Sequence, residues 1–134
     1  IIRETLEEVK GVTFRRVPDG GEENYSFVNF FLPSEEKAKQ AHQALSKSGV
    51  EACFYWYTNN WHYINGWEHL RNLKSLAPLS SEIKNQIQDL NNTDFSKSDA
   101  WMSRTVSSLI KIGWTETEVK DRAEAMKKAI QSVL

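Results

Sequence analysis

Residues 105–133 read TVSSLIKIGWTETEVKDRAEAMKKAIQSV. Two different periods meet in this stretch. Thr105–Ile112 (TVSSLIKI) is rich in β-branched residues and nearly uncharged, which predicts a strand. Thr115-Glu116-Thr117-Glu118 then spells a capping box. In that motif a threonine hydroxyl accepts a first-turn N–H while the glutamate three residues later reaches back to the threonine's own N–H. Beyond it Val119, Arg122/Ala123, Met126, Ile130 and Val133 fall on one stripe, the spacing of a helix with a single buried face.

Further back, the chain repeats this alternation. Tyr25–Leu32 (YSFVNFFL) predicts a strand buried over most of its length. Pro33-Ser34 opens a helix in which Ser34 caps the N-terminus, Glu35 and Glu36 suit the positive end of the dipole and Gly49 supplies the stop. Ala38, Ala41, His42 and Leu45 form its inward stripe. Val12–Val17 predicts a short strand, and Pro18-Asp19-Gly20-Gly21 a turn, so this strand and the next make a hairpin-like pair. Ile2, Leu6 and Val9 mark an amphipathic helix ended by Gly11.

Val50–Tyr55 predicts a third strand. Helices follow over Trp67–Leu76 and Ser81–Leu90, separated by Pro78 and Ser80-Ser81, with a loop at residues 91–94. The order helix, strand, strand, helix, strand, helices, strand, helix defines an α+β class: a small, mostly antiparallel sheet with helices packed on it. At 134 residues the chain is read as one domain over 1–134.

Composition narrows the function. With 17 basic and 18 acidic residues the net charge is -1, so no field of one sign draws nucleic acid. No apolar run approaches the roughly 20 residues that span a bilayer. No signal peptide is read in the sequence, and the one cysteine, Cys53, leads to the expectation of a reducing, cytoplasmic setting. Ile1-Ile2-Arg3, without an initiating methionine, is read as a cut into a longer chain.

One segment concentrates chemistry. Residues 54–70, FYWYTNNWHYINGWEHL, hold three of the five tryptophans, three of the four tyrosines and two of the three histidines. His62 and His69 are seven apart, with Glu68 the one candidate third ligand, which is not a metal spacing. No G-x-S-x-G elbow and no Gly-rich phosphate loop occurs. The rings could stack bases, but without a basic groove they read more simply as a covered sheet edge with polar tips in water. Arg104, directly before a largely uncharged strand, is read either as a strand-end ion pair or as a bidentate carboxylate ligand.

Taken together, these residues resemble the small C-terminal domain of the pyridoxal-phosphate sugar aminotransferases of the DegT–StrS type. The likeness covers nearly the whole chain. It rests on a helix leading into G-V-T-F-R-R-V-P-D, then N-Y-S-F-V-N-F-F-L-P, a helix, and G-V-E-A at residues 49–52. That family follows this strand with a tyrosine and then a Leu-His pair. Tyr57-Thr58-Asn59-Asn60-Trp61-His62 keeps the tyrosine and histidine in register, with tryptophan for leucine and without the prolines usual between them. In the wider fold-type-I aminotransferases an arginine directly precedes the last strand and grips a substrate carboxylate. Ser103-Arg104-Thr105 fits that order, where many sugar enzymes lack the arginine.

The resemblance implies a fold-type-I aminotransferase C-terminal domain that works with a large domain of the same polypeptide, absent from this chain, in a homodimer. It implies transfer of an amino group, commonly from glutamate as the amino-acid donor, to a keto-sugar, with an acidic sugar suggested by Arg104. Pyridoxal phosphate and the lysine that holds it belong to the large domain, so no catalytic, cofactor-binding or metal residue is expected here. The substrate-binding set it implies is Arg104, Tyr57, Asn59, Asn60 and His62. The other reading is a non-catalytic α+β module that binds carbohydrate or a protein partner through the aromatic loop.

Overall fold

The last strand of the chain, Thr105–Leu109 (β4), is one of the two inner strands of its sheet. In the computed structural model, which describes residues 1–59 and 61–134, a four-stranded sheet has the order β1-β2-β4-β3, with β1 at Thr13–Phe14, β2 at Phe27–Phe31 and β3 at Cys53–Phe54. Every registered pair is antiparallel. Phe30 stands opposite Val106, and Cys53 and Phe54 stand opposite Ser108 and Ser107. β2 and β3 therefore run parallel to each other with β4 between them. The chain leaves a gap between them that its own later segment fills.

The described residues form six α-helices: α1 (Ile2–Glu7), α2 (Glu35–Lys47), α3 (Glu68–Arg71), α4 (Ser81–Asn91), α5 (Ser96–Met102) and α6 (Glu116–Gln131). The fold is α+β, with an antiparallel sheet. Contacts divide the chain into two units, one of residues 1–55 and 103–134, the other of Trp56–Met102. The sheet, α1, α2 and α6 belong to the first.

In that first unit α6 packs on both α1 and α2, and α2 reaches β3 and β4. The core they enclose is Leu6, Phe30, Leu32, Ala38, Ala41, Leu45, Val106, Met126 and Ile130, each at most 1% exposed. Ala38, Ala41 and Leu45 of α2 and Ala123, Met126 and Ile130 of α6 lose water as their spacing predicts, the dominant stabilising term. His42, Val119, Arg122 and Val133 are only half-buried, whereas Ala129, outside the predicted stripe, is buried. Local chemistry agrees with the helical spacing. Ser34 Oγ accepts from the Lys37 N–H at 3.2 Å, and Gly49 takes φ +73 just past the end of α2. Thr115 and Glu118 form the full capping box. Arg3 bridges Glu7 and Glu23 at 2.9 Å each and lies 5.0 Å from the Phe14 ring, tying the segment before β2 to α1.

Several elements differ from expectation. β1, β3 and β4 are shorter than the β-branched runs that predict them. At β3 the reason is Ala52, whose φ of +54 turns the backbone out of strand geometry just before Cys53. β2 is less buried than its sequence suggests: Phe30 is fully enclosed, whereas Phe27 is 39% exposed. Alternation explains this, since Phe27, Asn29 and Phe31 point to the face opposite Phe30.

The helix predicted over Trp67–Leu76 contracts to Glu68–Arg71, because Leu73 adopts φ +55 and the Lys74 N–H closes onto the His69 carbonyl at 2.8 Å. The region predicted as a loop at 91–94 includes the end of α4. It is followed by α5, which has no apolar period to announce it. Asp94 starts α5 locally, accepting the Ser96 N–H at 2.8 Å.

Phe30→Ala should cost about 3–5 kcal/mol, the range for emptying an aromatic core position. Thr115→Ala should cost about 1 kcal/mol, the range for a lost N-cap. Urea unfolding of the two variants checks both, and a loss at Thr115 as large as that at Phe30 would contradict this ordering.

Candidate functional site

The aromatic segment folds as a chain of tight turns. Residues Trp56–Thr58 and Ile64–Gly66 form single 3₁₀ turns, and α3 follows. Asparagine chemistry sets the first corner: Asn59 Oδ1 accepts the Trp61 N–H at 2.7 Å, and the Asn59 N–H bonds the Trp56 carbonyl at 3.1 Å. This Asx turn is the kind of local side-chain bond for which asparagine is chosen in loops.

The turn places aromatic rings on one another. His62 is exposed and meets Trp56 edge-on at 4.4 Å, with Trp61 at 6.4 Å on a second side. Tyr57 is half-buried with its ring 5.6 Å from that of Tyr63. Trp61 itself is 68% exposed. In the same unit an open depression of ≈ 600 Å³ is lined by Thr58, Asn59, Gly66, Glu68, His69 and Lys74. It offers hydroxyl, amide, imidazole, ammonium and carboxylate groups, a set suited to a polyhydroxylated or charged small molecule rather than to an apolar one.

Of the predicted site residues, Tyr57, Asn59 and His62 fall within the same unit and within a few residues of one another, and Asn59 reaches the depression. Asn60 lies outside the described residues. Arg104 belongs to the first unit, half-buried at the entry to β4, where its carbonyl accepts the Leu32 N–H at 2.9 Å. That bond fixes the backbone from which the guanidinium departs. Next to it the chain is clamped: the buried Tyr55 hydroxyl donates to the Ser103 carbonyl at 2.7 Å. Tyr55 and Ser103 are the residues at which the first unit gives way to residues 56–102 and resumes, so one hydrogen bond gathers both crossing points.

Sequence reasoning missed the polar spine of the second unit. Tyr63, buried, donates its hydroxyl to Asp99, and Asn65 Nδ2 donates to the same carboxylate at 2.8 Å. Arg71 Nη1 in turn donates to Asn65 Oδ1 at 3.3 Å, and Arg71 Nε to Asn91 Oδ1 at 3.1 Å. These residues come from separate turns and helices, and no spacing in the sequence links them. The only local hint is the Asx-capable Asp94 that starts the helix carrying Asp99.

Of the chain's lysines all but Lys37 and Lys127 are exposed; Lys37 donates to the Val133 carbonyl and Lys127 pairs with Glu8 at the surface. Among the described residues no group of three His, Cys, Asp or Glu side chains is placed to hold a metal. Cys53 is held as a thiol, pushed up by burial against the opposing pull of Ser108 and Arg122. No helix of the described residues is long and apolar enough to cross a membrane. Compared with models of known protein families, the chain matches none.

Burial first, and the Asp99 carboxylate second, push the Tyr63 phenol above its ordinary value of 10.0. A raised value means that this contribution to stability is whole below pH 10.0 and is lost as pH rises through the folded value. Alkaline absorbance titration should therefore show one tyrosine ionising late, moved toward ordinary values by Asp99→Asn and absent in Tyr63→Phe. A single shared tyrosine transition near pH 10.0 would contradict the assignment.

Proposed function

We propose that this chain is the small C-terminal domain of a pyridoxal-phosphate-dependent sugar aminotransferase of the DegT–StrS type. In this reading it works in the cytoplasm against a large domain of the same polypeptide, within a homodimer. The intact enzyme transfers an amino group, commonly glutamate's, to a keto-sugar, an acidic one in the version Arg104 favours. The carrying observation is positional. Arg104 enters the central strand β4, whose exit leads into the capped helix α6, while the Tyr57–His62 turn leaves the end of β3. That is the order the family resemblance requires.

Each residue then has a role its chemistry suits. Arg104 presents a planar fork that binds a carboxylate through two parallel N–H bonds, and its anchored backbone limits the entropy lost on binding. Tyr57, Asn59, Asn60 and His62 line the mouth of the active site, offering ring faces and amide or imidazole hydrogen bonds to sugar hydroxyls. Pyridoxal phosphate supplies the electron sink for amino transfer. The residues that hold it lie outside this chain, so the chain alone binds and orients but does not transaminate.

A second reading is favoured by one observation: Trp61 is 68% exposed beside the exposed ring of His62. An exposed amphipathic ring is a stacking surface for a sugar face, and a non-catalytic carbohydrate- or protein-binding module would use it in the isolated chain.

Mixing the isolated chain with pyridoxal phosphate should yield no stoichiometric visible absorbance band; such a band would contradict the reading. In the intact enzyme Arg104→Lys should reduce kcat/KM by about 10²-fold, since a point charge cannot copy the bidentate fork. Wild-type kinetics in that variant would remove Arg104 from the site. Saturable binding of neutral monosaccharides by the isolated chain, lost in Trp61→Ala, would favour the binding-module reading instead.

A further inference from the structure

Arg71 differs in setting from the other arginines whose partners are visible. Arg3 and Arg15 pair with carboxylates, and Arg122 spends its neutral bonds within the first unit, donating to the Glu51 carbonyl and to Ser108 Oγ and lying 4.7 Å from the Trp114 ring. Arg71 is held by neutral amide oxygens: Nε on Asn91 Oδ1 and Nη1 on Asn65 Oδ1. The grip on it is reciprocal, because Asn91 Nδ2 donates back to the Arg71 carbonyl at 2.9 Å. Asn65 is itself fixed by Asp99, which also receives the Tyr63 hydroxyl. Four side chains thus orient one guanidinium without neutralising it. Among the described residues no carboxylate forms an ion pair with it, and Nη2 has no hydrogen-bond partner there. It lines an open depression of ≈ 490 Å³ together with Asn65, Glu68, Asn72 and Asn91.

Arg122, held by neutral oxygens too, uses them to join α6 to β4, whereas Arg71 lines an open depression. Here the protein invests hydrogen bonds in aiming the fork and leaves its charge for another group. We propose that Arg71 is the anchor of an oxyanion-binding site on residues 56–102, taking the carboxylate or phosphate group of a small molecule. The amides of Asn65, Asn72 and Asn91 surround the bound group with polar contacts suited to its hydroxyls. Glu68, on the wall of the same depression, opposes a bare anion and favours one carried on a hydroxylated or amino-bearing skeleton. This inference rests on the geometry of one unit and not on the aminotransferase reading, so either can fail without the other.

The test is an NMR titration of the ¹⁵N-labelled full chain with acetate and, separately, inorganic phosphate, at ionic strength held constant with chloride. Saturable shifts should appear at Arg71, Asn72 and Asn91 with at least one of the two anions. Response to acetate assigns a carboxylate ligand, and response to phosphate a phosphate. Arg71→Lys should weaken binding about tenfold, as loss of the fork predicts. Glu68→Gln, an exposed change that leaves the fold intact, should tighten it by about threefold through removal of a like charge. Shifts that follow chloride equally, or an affinity unchanged in both variants, would overturn the site. Should Arg71→Lys fail to fold, an unchanged affinity in Glu68→Gln overturns it alone.

Discussion

The architecture depends on the insertion of β4 between β2 and β3. A strand with neighbours on both sides leaves neither edge unpaired, and Val106, Ser107 and Ser108 are wholly enclosed. Its two serines tolerate burial because they are used. Ser107 Oγ donates to Asn29 Oδ1 across the sheet at 2.6 Å, and Ser108 Oγ accepts from Arg122 on α6 at 3.1 Å. Arg122 also bonds the Glu51 carbonyl, so one side chain joins the final helix to β4 and to the approach to β3. Without β4, β2 and β3 would each keep an open ladder edge, and α6 would lose the Arg122 bond that ties it to the sheet.

This constraint also fixes where the second unit joins the first along the chain. Since β4 is formed by the chain after residues 56–102, both junctions of that segment lie at the sheet, where Tyr55 and Ser103 are held together by a buried hydrogen bond. Arg104 sits on the scaffold side of this arrangement. Tyr57, Asn59 and His62 sit on the excursion side, where asparagine turns and ring contacts hold them.

The first unit was largely legible in the sequence because its signals are local. A capping box, an N-cap serine and a stripe at helical spacing each report on a few consecutive residues, and Thr115, Ser34 and the run Ala38, Ala41, Leu45 behave as they read. What the sequence could not convey was strand length, which Ala52 and the pairing register decide, or the partner of each strand, which is set across more than 70 residues for Asn29 and Ser107. The second unit was poorly legible for the complementary reason. It buries few apolar side chains, Tyr63 and Ile87 being the enclosed ones, and is organised by the Tyr63–Asp99–Asn65–Arg71–Asn91 hydrogen bonds. Polar networks leave no periodicity, so helix α5 and the orientation of Arg71 emerge only in three dimensions.

The central functional claim, that this is one part of a two-domain aminotransferase, makes a demand on the gene rather than on these residues. Determining the coding sequence upstream of Ile1 tests it most directly. The account predicts a contiguous reading frame encoding a larger α/β domain with a lysine placed to bind pyridoxal phosphate. A frame that begins within a few codons of Ile1, or that encodes a domain without such a lysine, would contradict it.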